Sequence, residues 1–195
     1  MLAPGFADPV HDAQATFRAV MDALARPGLT RPLAPDLAPP APLTPELAAV
    51  ALALTDADTP VWLDATLAGA PEVAAYLRFH TGAPLTDDPA RAAFALIREP
   101  GRCPPFRHFA PGTPAYPDTS TTLVLALEAI TEGDGLHLTG PGVRGFVRMA
   151  AHPLPANFLA QLAENRADFP LGIDLILTAP GRVAGLPRST TVTEG

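Results

Sequence analysis

Apolar residues Val10, Ala13, Phe17, Val20, Met21 and Leu24 recur at steps of three and four, the period of one helix face. Asp8 stands where a capping carboxylate is wanted, Pro9 suits a first turn, and Pro27-Gly28 ends the run. The pattern predicts an amphipathic helix near the start of the chain. Five prolines between 34 and 45 (Pro35, Pro39, Pro40, Pro42, Pro45) then predict an extended connection. Thr44-Pro45 reads as a cap and first-turn proline for a helix reaching about Leu54. Val61-Trp62-Leu63 is a short apolar run behind the turn Asp56–Pro60, which predicts a buried strand. Asp56 and Asp58 are expected to shape that turn through bonds to the backbone. A helix is predicted over Pro71 to His80, stopped by Gly82, and a strand over Ala93 to Ile97.

The second half is less periodic. Residues 98–119 hold six prolines and three arginines with neither period, and predict a long irregular loop. Thr121 to Ala129 is β-branched and leucine-rich and predicts a strand. Thr131-Glu132-Gly133-Asp134-Gly135 reads as a hairpin turn, with Leu136 to Thr139 as the return strand. A helix follows over Ala156 to Arg166. Ile173 to Leu177 and Val183 to Leu186 are predicted strands, joined by a turn at Ala179-Pro180-Gly181. Interleaved helices and strands give an α/β or α+β class. The expected architecture is α/β: one domain over 1–195, a mixed sheet with flanking helices, and the irregular loop at about 98–119.

Composition narrows the chemistry. All 13 basic residues are arginine, and Ser120 and Ser189 are the two serines. Without lysine there is no P-loop and no Schiff base to pyridoxal phosphate. Cys103 has no partner in the chain for a disulfide. A formal net charge of −7 argues against nucleic acid and against an anionic membrane surface. The N-terminal stretch lacks basic residues and an apolar h-region, and no apolar run reaches membrane-spanning length. A cytoplasmic protein is expected.

The motifs that usually announce chemistry fail in turn. Gly140-Pro141-Gly142-Val143-Arg144-Gly145 matches G-x-G-x-x-G, but Pro153 cuts short any helix after it and Pro141 removes a backbone donor. It reads as a glycine-rich turn between strands. The five histidines show no metal-binding spacing. Neither serine lies in G-x-S-x-G. Cys103 has Arg102 and Arg107 near it, which would lower its pKa, and His108 as a nearby base; the other reading is a loop cysteine without a role. Arginine forks suit phosphate and phosphonate oxygens. Two groups qualify: Arg78 with His80 near a helix end, and Arg188 followed by Ser189 and Thr190. Each reads either as an anion site or as a structural ion pair. Asp174, inside a strand, needs a partner such as Arg188 or a backbone turn.

Five stretches resemble one known family. They are Pro9-Val10-His11-Asp12-Ala13-Gln14 through Phe17-Arg18, Asp56 to Leu63, Leu77-Arg78-Phe79-His80-Thr81, Phe169 to Leu177, and Pro187-Arg188. In that order they resemble the H-subunit (PhnH) family of the bacterial carbon–phosphorus lyase system, which degrades phosphonates. The family's Pro-Arg-Thr-Thr stands here as Pro187-Arg188-Ser189-Thr190, and nothing in 98–119 is carried over.

The resemblance implies a fold like a reduced pyridoxal-phosphate transferase without its cofactor site. It implies a homodimer that joins the G, I and J subunits in a core complex, with a functional link to the L protein. It implies a part in forming α-D-ribose 1-methylphosphonate 5-triphosphate from ATP and methylphosphonate, which are substrates of the complex. Two roles follow: a transferase (synthase) subunit whose Arg78, His80, Arg188, Ser189 and Thr190 contact ligand, or a non-catalytic assembly subunit of the same lyase system. Stand-alone activity is not expected, and no catalytic residue is carried over.

Overall fold

A computed structural model describes residues 2–195. Helix α1 (Pro9–Ala25) opens at Asp8, whose carboxylate accepts from the N–H groups of Val10 and His11 at 3.2 and 3.1 Å. After strand β1 (Arg31–Pro32), helix α2 (Pro45–Leu54) opens at Thr44, whose hydroxyl accepts from Leu47 N–H at 3.2 Å. Asp56 takes the Asp58 N–H and the Thr59 hydroxyl at 3.0 and 2.6 Å, turning the chain into β2 (Val61–Leu63). A short helix α3 (Ala65–Ala68) precedes α4 (Pro71–Thr81), which stops at Gly82 in the left-handed region. Strands β3 (Leu85–Thr86) and β4 (Phe94–Ile97) follow.

The proline-rich connection beyond β4 is ordered by single 3-10 turns at Pro100–Arg102, Phe106–His108 and Pro117–Thr119. Its Phe106 and Phe109 are buried, edge-to-face with Phe158 and Trp62. The Thr121 hydroxyl donates to the Ala92 carbonyl at 2.6 Å and accepts from Ala110 N–H. Then come β5 (Thr122–Ala126), β6 (Ala129–Thr139), β7 (Val147–His152), α5 (Phe158–Ala167), β8 (Asp174–Ala179), β9 (Arg182–Leu186) and β10 (Thr191–Glu194).

Seven strands form the main sheet in the order β1-β9-β8-β5-β4-β2-β3. The five from β8 to β3 run parallel, β9 runs against them, and β1, antiparallel to β9, points with the five again. The fold is thus mixed α/β with a mixed sheet, in one domain. Side chains alternate strictly across it. Leu96, Val124, Ile176 and Val183 face a core shared with α1, α2 and α4. Ala95, Ile97, Leu123, Leu125, Leu175 and Leu177 face a second core. That core is closed by α5, the 98–121 connection and a three-stranded antiparallel sheet, β10-β6-β7.

Two expectations need correction. The hairpin read at 131–135 is absent: β6 runs through it, and its register against β7 shifts between Glu132 and Leu136. Gly133 and Gly135, at φ 125° and 151°, absorb a bulge there instead of reversing the chain. The reversal falls instead at the glycine-rich segment 140–146, the turn between strands expected there, and the residues after it form β7. The second concerns α1. Val10, Phe17 and Met21 are 62%, 48% and 47% exposed, and Thr16, Val20 and Ala23 face inward. The reason is Gly185 on β9. A Cβ there would lie 2.7 Å from the Leu24 backbone and 2.8 Å from that of Ala23. Close approach selects the small face of the helix over the large one.

Candidate functional site

Arg188 lies between β9 and β10, and all five of its guanidinium donors are engaged. Nε and Nη2 fork onto the two carboxylate oxygens of Asp174. Nη1 reaches the carbonyls of Pro117 and Pro170 at 2.8 and 3.3 Å, and the second Nη2 donor goes to the Ser120 hydroxyl. The Arg188 N–H also donates to Asp174, at 2.7 Å. The two side chains are 12% and 24% exposed. This is a saturated structural ion pair between the start of β8 and three other segments. Ser189 is half-buried, and Thr190 turns into β10 through its N–H to the Pro187 carbonyl at 2.8 Å. The buried Thr190 hydroxyl has no hydrogen-bond partner among the described residues.

The second group is built differently. His80 donates from Nε2 to the Ala3 carbonyl at 3.0 Å, and the Tyr76 hydroxyl donates to that of Pro4 at 3.3 Å. These bonds strap the N-terminal segment across α4. A Cβ on Gly5 would strike the His80 ring at 2.8 Å. Arg78 is exposed beside Phe79, which is 73% exposed. Since α4 packs in the helical layer and Arg188 in the opposite one, the structure does not bring the two groups together.

Cys103 departs from the activated of its two sequence readings. Burial, then the negative charge of Asp64, pushes its thiol up to about 12, and Sγ donates to the Pro104 carbonyl at 3.2 Å. The nearby arginines do not activate it. Among the described residues no three His, Cys, Asp or Glu side chains are grouped to hold a metal ion. No described helix is long and apolar enough to cross a membrane.

The carboxyl ends of the parallel strands form a feature that motif reading missed. Asp64, 5% exposed at the end of β2, caps α3 through Leu67 N–H at 2.9 Å. Its other oxygen accepts from the N–H groups of both Arg98 and Glu99, at 2.8 and 2.9 Å, just beyond β4. The two neighbours then diverge. Glu99 lines a cavity of about 170 Å3 with Trp62, Thr66 and Arg102. Its carboxylate accepts from Thr66 at 2.7 Å and from Arg102 at 3.3 Å; those bonds, led by Thr66, hold its pKa below the usual range. Arg98 lines a larger cavity, about 300 Å3, at the ends of β5 and β8. Beyond an aspartate after an apolar triplet, no local signal marks Asp64; its partners lie 34 and 35 residues away.

The model of the family described as bacterial phosphonate metabolism protein (PhnH) matches residues 4–193. The chain belongs to the PhnH family. It is 48% identical over 187 residues to the alpha-D-ribose 1-methylphosphonate 5-triphosphate synthase subunit PhnH of Rhizobium meliloti (strain 1021), covering 95% of this chain and 92% of that protein. It is also 36% identical over 81 residues to the putative C-P lyase subunit protein HtxG of Stutzerimonas stutzeri, covering 42% of each chain. The stretches that carried the PhnH resemblance fall at joints of this fold: the opening of α1, the Asp56 turn, the strapped end of α4, and β8 with its Arg188 clasp.

Proposed function

We propose that this chain acts as the H subunit of a carbon–phosphorus lyase system. In that role it supports formation of α-D-ribose 1-methylphosphonate 5-triphosphate from ATP and methylphosphonate. The observation that carries this reading is the near full-length match to the Rhizobium subunit named for that synthase. The subunit works in the cytoplasm as a homodimer, joined to the G, I and J subunits and linked in function to the L protein. Its scaffold is that of a reduced pyridoxal-phosphate transferase used without the cofactor. A mostly parallel sheet covered on both faces supports this, as does a sequence without lysine. Of the expected ligand groups, Arg78 keeps its guanidinium in solvent and is the one free to meet a ligand, while Arg188 with Ser189 and Thr190, and His80, shape the fold.

The test is reconstitution of the other subunits with ATP and methylphosphonate, with and without this chain, following adenine release. Release that depends on the chain is expected. Unchanged release on omission rejects the reading. The saturation of Arg188 favours a second reading, a non-catalytic assembly subunit. Under it, omission stops the complex from forming; under the first, a complex assembled with an Arg78→Ala chain forms but releases less adenine.

A further inference from the structure

The 300 Å3 cavity lies where three adjacent parallel strands end. Arg98 follows β4, Leu127 follows β5 and Pro180 follows β8, and the first turn of α2 closes the side with Thr44 and Glu46. Open α/β sheets take their ligands outside the carboxyl ends of the strands. The volume stands at the low end of the roughly 300–1,000 Å3 of small-molecule sites.

Arg98 is the unusual residue here. It is half-buried, yet no carboxylate oxygen pairs with it among the described residues, unlike Arg26, Arg31, Arg102, Arg148 and Arg188. Its Nε donates to the Pro42 carbonyl at 3.1 Å, and its N–H is fixed by Asp64. Both terminal nitrogens are left without a protein acceptor among the described residues. The guanidinium is therefore anchored at its base and open at its fork, the geometry that holds a tetrahedral oxyanion. The positive end of α2 adds to the field. Two carboxylates share the cavity. Glu46 has one oxygen engaged by Gly181 N–H at 3.0 Å, and Glu128 is exposed. They disfavour a bare anion and favour one that also carries hydroxyl donors.

We propose that this cavity binds a hydroxylated phosphoryl or phosphonyl anion, a sugar phosphate or sugar phosphonate. Arg98 forks on the anion, and Glu46 and Glu128 accept from the hydroxyls. The choice of ligand class rests on the function proposed above. Binding is read on the isolated chain, whereas that function stands or falls on adenine release by the assembled subunits, so the two fail separately.

The test titrates ribose 5-phosphate, methylphosphonate, inorganic phosphate and ribose into the chain by calorimetry and 1H–15N spectroscopy. Ribose 5-phosphate is expected to saturate one site and to bind more tightly than the other three, shifting the Arg98 Nε–H and the amides of Leu127 and Ala179. Arg98→Gln, which removes the fork, is expected to raise its Kd by about tenfold or more. Glu128→Gln should narrow the preference for ribose 5-phosphate over inorganic phosphate. Absence of saturable binding, equal Kd in Arg98→Gln, tighter binding of bare phosphate, or shifts confined to another face would each overturn the proposal. If Arg98→Gln does not fold, the shift map on the unmutated chain decides.

Discussion

At the scale of single residues, Arg188 and Asp174 show how a polar pair is held inside a loop-rich layer. Removing the cation leaves a carboxylate only 24% exposed facing two carbonyls and a hydroxyl. Breaking such a pair costs about 3 kcal/mol. Arg188→Ala should show that loss in chemical denaturation, and Arg188→Lys should recover only part of it, because a point charge cannot serve five acceptor directions. A loss below about 0.5 kcal/mol would mean the pair is solvated. Cys103 gives a second prediction. With a thiol pKa near 12 and its hydrogen spent on Pro104, it should resist alkylation at pH 8 in the folded chain and react at once in denaturant. Comparable rates in both states would contradict its burial. The sequence offered Arg188 or a backbone turn as the partner of Asp174, because a charge inside a strand demands one, and Arg188 takes that place. Of the two readings it offered for Cys103, the activated one fails, because Arg102 is adjacent in sequence but turned toward Glu99.

At the scale of elements, local caps and stops made α1, α2 and α4 legible, while the single-turn α3 behind Asp64 was not. Asp8, Thr44 and Gly82 act within a few residues of where they stand, so a linear reading finds them. Capping also sets an acid limit. The Asp8 carboxyl sits below the ordinary value of about 4, held there first by its bond from His11 N–H, so its contribution is present above that value and fades as pH falls through the depressed one. Amide exchange at Val10 and His11 should quicken in that window, after intrinsic rates are corrected, while the centre of α1 stays protected. Uniform change along α1 would point to another cause. What sequence could not show was the face α1 buries, since Gly185 lies some 160 residues beyond that helix. Gly185→Ala should therefore destabilise the chain by about 2 kcal/mol or more, against near-neutrality for the same change at the open Gly101. Equal effects at the two sites in thermal denaturation would refute the close approach. The course of β6 was illegible for a related reason: glycines beside acidic residues serve a reversal and a bulge alike, and only pairing with β7 separates them.

At the scale of the molecule, one sheet serves two cores. Strands β4, β5 and β8 put residues of each into both, so neither core can open without the sheet. Their amides should be the slowest to exchange, with β10 and the bulged part of β6 exchanging faster. Faster exchange in β5 than in β10 would show that the layers unfold separately. The mixed α/β class was legible from alternating patterns. The second, three-stranded sheet was not, because β10 has no apolar run and β7 only Met149-Ala150-Ala151, and both gain strand character beside β6. The crevice at the strand ends was hidden likewise, since it is made by topology more than by motif.

The Arg188 clasp also orders events in time. It closes segments that begin at residue 117, yet its cation comes 71 residues later, beyond the last strand of the main sheet. On the ribosome, strand β8 is synthesised with an orphan carboxylate at its head, and the second layer cannot lock until residue 188 has followed it out. A stop just ahead of Arg188 would spare every strand of the main sheet and still leave the layer built on it unlatched.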